Sequence, residues 1–361
     1  MESNETAAII AEIGVNHNGD LTTARKLLRT ASETGATHAK IQVFEPRLLV
    51  ASTAPLAQYQ VKNGVNSASQ MKMLSNLTLS KYDILKLEED SSNLGIEMLA
   101  TPFDLSSLNF LVTELQHTTV KIGSGDLTFH QLIFEAAKLG LNLILSTGMA
   151  NLQEVREAVA VAAAGREVHQ GTLPRNFVPS PSNLEKLQPS NALRDWLTLL
   201  HCTSSYPAPL DHLNISSLSQ LATLGTRIGY SDHSASSHGS ILAVAFGAEV
   251  FEKHLTLDQD ADGPDHKASL EPQEFADYVN DIRIAEMALG AGVKEPQPSE
   301  ENVKLVARRS LFASRQISVG EIIDEQNVVA LRPGSGVSAD TFYFLKNSRA
   351  QTSFETGDLI E

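Results

Sequence analysis

A lysine, a serine and an aspartate lie close together in the segment Lys121-Ile-Gly-Ser-Gly-Asp126. The two glycines allow backbone N–H groups to approach an anion closely, while the lysine supplies charge and the serine a further donor. This pattern indicates a cradle for a phosphate or carboxylate group. The alternative is a glycine turn after a buried strand, with Lys121 extending its ammonium group to solvent.

Histidines give a second chemical signal. The segments Ser231-Asp-His233 and Glu252-Lys-His254 each place an imidazole at the end of a β-like run, with carboxylates nearby. Such groups suit Mn²⁺, Mg²⁺ or Zn²⁺ with positions left open for water and substrate. We therefore predict a metal site at His233 and His254. His201 lies one run earlier, and we expect a structural role for it, since a lone strand histidine is usually a satisfied core residue.

Polar residues end other β-like runs as well. Lys40 and Gln42 share one side of a strand, because side chains alternate with period two. A buried ammonium must pair with an anion, and either bound substrate or a neighbouring carboxylate could pair with Lys40. Thr101 and Ser146 add hydroxyls at the ends of two further runs.

Nucleophilic catalysis by cysteine or serine is disfavoured. Cys202 directly follows His201, so their side chains point to opposite faces of a strand, and no G-x-S-x-G segment occurs. A Schiff base on Lys121 or Lys253 stays open, as in the lysine-dependent pyruvate aldolases, which need no metal.

Eight β-like runs precede segments with helical periodicity, which predicts a (β/α)8 barrel with its active site where strands enter the following loops. A doubly wound open sheet is the alternative, although no run is followed by G-x-G-x-x-G. The runs cover residues 7–14, 38–44, 95–103, 118–125, 142–149, 197–204, 226–233 and 248–257.

The domain organisation follows from composition. Residues 1–289 are predicted to form the barrel, and residues 290–304, rich in Gly, Pro and Glu, a linker. Residues 305–361 contain short β-like pieces and predict a small, mostly β domain. The proline-rich segment 165–192 is predicted to be a long loop or insertion before the sixth strand.

The composition excludes several classes of protein. A net charge of -15 argues against nonspecific binding to nucleic acid or anionic lipid. No apolar run reaches the ~18 residues that a membrane span needs, and the start lacks the basic region of a signal peptide. The single cysteine, Cys202, cannot form an internal disulfide. We therefore expect a cytoplasmic protein that binds neither nucleic acid nor membrane.

Nine short motifs occur in a fixed order: AEIGVNHNGD, AKIQVF, ATPF, KIGSGD, LSTGM, LHCTSSYPAP, GYSDHS, FEKHLTLD and GPDHKASLEP. This order resembles that of the sialic acid synthases, including the legionaminic acid synthases. The final segment, with ARRSL and LRPGSG, resembles their C-terminal antifreeze-like (SAF) domain.

The resemblance implies an activity. Members of the family condense phosphoenolpyruvate with an N-acetylated hexosamine, either N-acetylmannosamine or 2,4-diacetamido-2,4,6-trideoxymannose, to a nine-carbon 2-keto acid plus phosphate. It further implies dependence on a divalent metal, Mn²⁺ before Mg²⁺ or Co²⁺, and a domain-swapped homodimer. The residues of the motifs GPDHKASLEP and YPAP favour the legionaminic branch.

The resemblance also implies roles for individual residues. Asp126, Lys121, His233 and His254 are the catalytic candidates, and the two histidines are the metal ligands. The residues expected to hold phosphoenolpyruvate are Lys40, Thr101, Lys121, Ser124, Ser146, Ser204 and Ser231. Those expected near the sugar are Asn66, Tyr206, Asp265 and, from the tail of the partner subunit, Arg332.

Three positions depart from the family pattern. Asp126 stands where relatives often have glutamate, Asn18 where some have glutamate, and Ser204 where some have asparagine. Because aspartate is one methylene shorter, a positioning role fits Asp126 better than direct acid–base catalysis.

A rival of another class is a noncatalytic carbohydrate- or ice-binding protein, which the tail suggests by itself. The lysines and histidines at the barrel rim argue against it, since ice binding needs flat arrays of small uncharged groups.

Overall fold

Eight parallel strands form a nearly closed barrel in the N-terminal part of the chain. The computed structural model describes residues 6–55, 69–185 and 192–360, in two compact units, Met1–Gly290 and Ala291–Glu361. The strand order is β3-β2-β1-β8-β7-β6-β5-β4, and β3 packs beside β4 at the seam. The predicted (β/α)8 barrel is confirmed. The strands are β1 (Ala8–Gly14), β2 (His38–Val43), β3 (Glu97–Pro102), β4 (Thr119–Ile122), β5 (Asn142–Ser146), β6 (Leu197–Cys202), β7 (Arg227–Asp232) and β8 (Val250–His254).

Helices connect these strands and cover the outside of the barrel. Their ends follow local sequence signals: Ser80 and Asn151 cap helices through capping boxes, and Gly95 ends a helix in the left-handed region at φ 68°. The helices are α1 (Leu21–Glu33), α2 (Pro46–Leu49), α3 (Gln70–Asn76), α4 (Lys81–Leu94), α5 (Leu105–Thr113), α6 (His130–Lys138), α7 (Leu152–Gln170), α8 (Pro181–Leu184), α9 (Leu218–Ala222), α10 (His238–Ala245) and α11 (Pro272–Leu289).

The segment predicted as a loop over residues 165–192 begins differently. Helix α7 continues to Gln170, so Gly165 lies inside it. A Cβ at Gly165 would lie 2.5 Å from the carbonyl oxygen of Phe134, which shows why glycine occurs there. The glycine marks close approach of α6 and α7, and the predicted start of the loop at residue 165 was wrong.

The barrel interior is layered. Successive side chains along each strand point alternately outward and inward. The outward-facing side chains pack against the helices, and the inward-facing ones fill the barrel. At the N-terminal end the interior is filled by a small apolar cluster, and polar side chains take over toward the C-terminal ends of the strands. The buried members of that cluster are Ile10, Leu99, Ile144, Leu200 and Val250. They form the floor on which the polar site rests.

The second unit has its own core and one antiparallel strand pair, β9 (Ser310–Ala313) and β10 (Val328–Leu331). Its helices are α12 (Glu301–Ala307) and α13 (Phe342–Leu345). Its buried apolar residues are Leu311, Ala313, Ile317, Ile323, Val328, Ala350, Phe354 and Ile360. In the part of the chain that the structure describes, no helix has the length and apolar character to cross a membrane.

Candidate active site

A cavity of about 490 Å³ opens at the C-terminal ends of the barrel strands, within the range typical of small-molecule sites. It brings together eleven of the residues singled out in the sequence. They are Lys40, Thr101, Lys121, Ser124, Ser146, Ser204, Tyr206, Ser231, His233, His254 and Asp265.

Three further sequence candidates are not among the described residues that line the cavity. Asp126 ends the short 3₁₀ helix Ser124–Asp126 and is half-buried, but it is not among the residues that line the cavity. Arg332 is exposed in the second unit. Asn66 lies outside the described residues.

Four buried charges form the base of the cavity. Lys40 Nζ lies 2.6 Å from Glu12 Oε2 and 3.5 Å from Glu252 Oε2. Lys121 Nζ lies 3.2 Å from Glu252 Oε1, which also accepts a 2.8 Å hydrogen bond from Ser231. The partner of Lys40 is thus a pair of neighbouring carboxylates, the second of the two possibilities that the sequence left open.

The two lysines differ in their remaining hydrogen-bonding capacity. Lys40 contacts three oxygen-bearing side chains, since it is ion-paired with Glu12 and Glu252 and donates a 3.1 Å hydrogen bond to Thr101 Oγ1. Lys121 has one carboxylate partner, Glu252, among the described residues. Lys121 therefore keeps donors for a ligand, whereas Lys40 organises the base of the cavity.

Sequence reasoning gave Glu12 no role and noted Glu252 only as a carboxylate near the histidines. The available signal was the period-two alternation that puts Glu252 on the same side of β8 as His254. Burial alone would raise the pKa of Glu252, but Lys121 and Lys40 outweigh it and hold that pKa well below its usual range. Glu252 is therefore a permanent anion shared by the two lysines.

The two histidine rings lie edge to face at the rim, with ring centroids 5.5 Å apart and an angle of 63° between the ring planes. Burial lowers the pKa of each to about 3, and each neighbouring imidazole or lysine charge adds to that effect. His233 Nδ1 lies 2.9 Å from the carbonyl oxygen of Thr203. A neutral ring must donate there, so the lone pair of His233 lies on Nε2.

The two histidine rings supply part of the ligand set that a divalent metal ion needs. His254 Nδ1 is buried and has no hydrogen-bond partner among the described residues, and Asp265 Oδ2 lies 3.9 Å from it. In a metal-binding histidine, the ring nitrogen that does not bind the metal usually donates to a carboxylate or a backbone carbonyl. Nδ1 of His233 makes this contact with Thr203. No cluster of three or more metal-binding side chains occurs in the described ranges. Two nitrogens would thus hold an ion, with other positions left to water and substrate.

Hydroxyl groups surround the start of the loop after β5. Ser124 Oγ accepts a 3.1 Å hydrogen bond from the Gly148 N–H and lies 3.0 Å from Cys202 Sγ. A Cβ at Gly148 would come within 2.3 Å of Ser204 Oγ, so a larger residue there would displace this hydroxyl. Ser146 Oγ is buried and lacks a hydrogen-bond partner in the described part of the chain. An anion with several acceptor oxygens would satisfy this unpaired donor.

One wall of the cavity is apolar. It comes from the loop after β1, from α2 and α3, and from the ends of β3 and β5. Its members in the described ranges are Val15, Leu49, Val50, Met73, Leu74, Leu77, Phe103 and Met149. Most of them belong to one cluster beside the barrel mouth. The cavity therefore combines a charged base with an apolar side.

Two carboxyl groups near the site have raised pKa values. Burial raises the pKa of Asp126 to about 6, against the opposing effect of Lys121. Burial, with the charge of Glu12, raises the pKa of Asp265 to about 7.

The other reactive side chains lie away from the cavity. His201 faces outward, where it contacts the carbonyl oxygen of Leu213 and stacks on Tyr230. Lys253 is fully buried and does not line the cavity. A Schiff base on Lys253 is therefore incompatible with this structure, and Lys121 is ion-paired.

Comparison with known proteins agrees with this architecture. The family model described as "NeuB family" matches residues 27–294, and that of the SAF domain matches residues 308–361. The N,N'-diacetyllegionaminic acid synthase of Campylobacter jejuni is 39% identical over 98% of both chains. That of Legionella pneumophila is 38% identical over 99% of this chain and 94% of its own.

A solved structure is also similar. The N-acetylneuraminic acid (sialic acid) synthetase of Leptospira borgpetersenii, in complex with citrate, is 32% identical with a TM-score of 0.67. The match covers 83% of this chain and 90% of that one. With a family match across most of the barrel and relatives above 30% identity over nearly the whole length, the chain belongs to the NeuB family.

Proposed function

We propose that this protein is a nonulosonic acid synthase, which condenses phosphoenolpyruvate with an N-acetylated hexosamine to a nine-carbon 2-keto sugar acid and phosphate. The observation that carries the proposal is the convergence of Lys121, unpaired Ser146 and the His233–His254 pair on one cavity. The names of the most similar relatives support the same reaction class.

Phosphoenolpyruvate is held at the charged base of the cavity. Lys121 has N–H groups to spare and faces the hydroxyls of Ser124 and Ser146, which suit a phosphate or carboxylate. Lys40 and Glu252 keep Lys121 in place rather than carrying the ligand themselves. Thr101, Ser204 and Ser231 are the other hydroxyl-bearing candidates in the cavity lining, and Ser231 donates its hydroxyl to Glu252.

His233 and His254 are the residues that would hold a divalent metal ion, with Mn²⁺ as our first choice on the family resemblance. When bound, such an ion supplies Lewis-acid polarisation of the open-chain sugar aldehyde. Both rings are neutral at physiological pH, since burial lowers their pKa to about 3, and a neutral imidazole is the form that binds metal.

The reaction joins C3 of phosphoenolpyruvate to the aldehyde carbon. The aldehyde oxygen takes up a proton, and water adds to the cationic C2 that forms. The C2–O bond to phosphate then breaks, which gives the keto acid and inorganic phosphate. Alignment of two bound reactants could lower the activation barrier by roughly 7–11 kcal/mol. A single acid or base raises the rate by about 10²–10⁴-fold, which corresponds to a smaller reduction of the barrier. Positioning by Lys121 and the histidines therefore dominates, with Asp126 as a positioning residue.

The apolar wall favours a deoxygenated acceptor, 2,4-diacetamido-2,4,6-trideoxymannose. A buried methyl group against Met73, Leu77 and Phe103 contributes ~0.8 kcal/mol, whereas a hydroxyl there would lose its water without a partner. Tyr206 and Asp265 supply polar contacts on the opposite side of the cavity mouth, and Asn66 is a further candidate.

We also propose that the enzyme is a cytoplasmic homodimer. The exposed Arg332 of one subunit would contact the sugar in the barrel of the other, as in the family it resembles. The single free cysteine, Cys202, is consistent with a reducing compartment.

The direct test is phosphate release from phosphoenolpyruvate with each candidate sugar, followed by the product mass. We expect release with the diacetamido sugar at a kcat/KM about 10²-fold above that with N-acetylmannosamine, and loss of release after chelator treatment with recovery on adding Mn²⁺. Phosphate release that no sugar stimulates would contradict the proposal. Covalent trapping of the protein by pyruvate and borohydride would support the Schiff-base aldolase instead.

A further inference from the structure

A buried ion pair lies on the outer side of the two strands that carry the histidines. Asp232 Oδ1 and Lys253 Nζ are 3.4 Å apart, and both side chains are fully buried. Neither residue lines the cavity. The pair is separate from Lys40, Lys121 and Glu252.

Strand register places this pair directly behind the active site. Asp232 on β7 is opposite Lys253 on β8, next to the inward-facing pair Ser231 and Glu252. Because successive side chains alternate, Asp232 and Lys253 point toward α10 and α11, where Ser240 and Tyr278 contact them. His233 and His254 therefore follow immediately after the two members of the ion pair.

Stability alone does not explain charges at this position. The outward-facing neighbours along the same strands are Tyr230 and Phe251, both fully buried. Replacing a buried ion pair by apolar residues of similar volume is often neutral or stabilising, because each charge loses its hydration.

Both members of the pair bind the backbone of the same residue, Ser234, one at its N–H and the other at its carbonyl oxygen. Asp232 Oδ1 accepts a 2.8 Å hydrogen bond from the Ser234 N–H, and Lys253 Nζ donates to the Ser234 carbonyl oxygen. Asp232 Oδ2 also accepts a 3.0 Å hydrogen bond from Ser240. Ser234 is the residue after His233, so this clamp fixes the backbone that carries the ring.

The ring of His233 depends on that backbone. Its Nδ1 lies 2.9 Å from the Thr203 carbonyl oxygen, which leaves Nε2 as the lone-pair nitrogen. We propose that Asp232 and Lys253 are positioning residues that hold the backbone at Ser234 and thereby set the orientation of His233. The effect of that orientation on catalysis rests on the proposed function, whereas the positioning of the ring does not.

The test variant is Asp232→Asn with Lys253→Met, which removes both charges at similar volume. Asparagine still accepts from Ser234 N–H, so the variant is expected to fold with the wild-type circular dichroism spectrum. We expect turnover to fall between about ten- and a hundredfold, as for a small misplacement of a reacting group. The affinity for phosphoenolpyruvate, held by Lys121, is expected to stay within threefold of wild type.

A second readout follows the ring itself. In protein labelled with ¹⁵N-histidine, His233 is expected to show a slowly exchanging Nδ1–H signal, assigned by its loss in His233→Gln. The double variant is expected to lose that slow exchange. The control is Tyr278→Phe, which keeps the ring near Lys253 and removes only the 2.9 Å contact to Ser240. We expect wild-type turnover and a wild-type ring signal in the control.

The outcomes separate the two proposals. A double variant with an unchanged ring signal and unchanged turnover overturns the positioning role. A parallel loss of turnover and phosphoenolpyruvate affinity also overturns it, because that pattern indicates general damage. If wild type itself releases no phosphate from phosphoenolpyruvate, the proposed function fails, and the ring signal alone then decides the positioning role.

Discussion

Glu252 joins the two lysines of the cavity and gives them different tasks. It lies within 3.5 Å of both ammonium groups, while Lys40 also pairs with Glu12 and donates to Thr101. The base of the cavity is thus close to electrically neutral before any ligand binds. An incoming trianion must be compensated by donors that still have capacity, which points to Lys121.

Removal of Lys121 should therefore damage substrate binding. We expect Lys121→Met to lower kcat/KM for phosphoenolpyruvate by about 10²–10³-fold, the usual cost of losing one preorganised charge-stabilising donor. Steady-state kinetics with the sugar held at saturation measures this. The protein should remain folded, because Glu252 retains Lys40 as its partner.

Lys40→Met is the matched comparison. It leaves Glu12 buried without its ion-pair partner, so the free energy of unfolding should fall by about 3–5 kcal/mol. Denaturant titration of both variants distinguishes the two roles. Equal losses of stability in the two variants would contradict the division of tasks.

Asp126 gives a pH-dependent prediction. Burial raises its pKa from 3.8 to about 6, so the folded protein binds more protons than the unfolded chain between these values. Stability therefore falls as pH rises from about 4 to about 6, and the loss persists above that range. Asp126→Asn should raise the free energy of unfolding at pH 8 by about 1–3 kcal/mol and leave it unchanged below pH 4.

Urea titrations at pH 4 and pH 8 test this prediction. A stabilisation by Asp126→Asn that is the same at both pH values would contradict it. Because Asp126 does not line the cavity, the variant should also retain more activity than Lys121→Met.

At the scale of elements, period-two alternation made most of the site predictable. It put Lys40 with Gln42 and assigned His201 and Cys202 to opposite faces, as the structure shows. Alternation within one strand could not show which inward-facing residues on different strands contact each other. Glu12 and Lys40, for example, are brought together by the register between β1 and β2. The loop predicted over residues 165–192 was set to begin too early, because Gly165 has a packing role inside α7 that sequence alone does not reveal.

The loop after β8 is held by a buried asparagine in the loop after β1. Asn16 Nδ2 donates to the Leu255 carbonyl at 2.9 Å and to Ser269 Oγ at 2.8 Å. Ser269 in turn donates to the carbonyl oxygen of Asp265 at 2.7 Å. Through these contacts, Asn16 fixes the segment that brings Asp265 to the cavity.

Asn16→Ala should loosen this segment. We expect the free energy of unfolding to fall by about 1–3 kcal/mol, because buried acceptors lose their donor. The KM for the sugar should rise several-fold while the KM for phosphoenolpyruvate changes little, since Lys121 and Ser124 lie across the barrel. Kinetics with each substrate varied in turn measures both values, and equal rises in the two would argue against this role of the loop.

At the scale of the whole molecule, the chain divides into a barrel unit and a smaller unit with its own core. The sequence predicted the kinds of both units. It could not place Arg332 relative to a barrel, because in the proposed homodimer that placement depends on assembly of two chains rather than on local pattern.

Mixing two inactive variants tests whether the working site combines two subunits. Lys121→Met has an intact tail, and Arg332→Ala has an intact barrel. In a domain-swapped dimer, refolding an equal mixture creates hybrids in which one of two sites is complete, so activity should recover to about a quarter of wild type. No recovery, despite hybrid dimers detected by a tag on one variant, would contradict the shared site.

The position of the broken bond in phosphoenolpyruvate tests the central claim most directly. The substrate would carry ¹⁸O at the oxygen that bridges C2 and phosphorus, and would be turned over with 2,4-diacetamido-2,4,6-trideoxymannose. The proposed reaction places the label in inorganic phosphate, which ³¹P NMR detects by its isotope shift. Label that stays in the nine-carbon keto acid, or turnover without phosphate release, would contradict it.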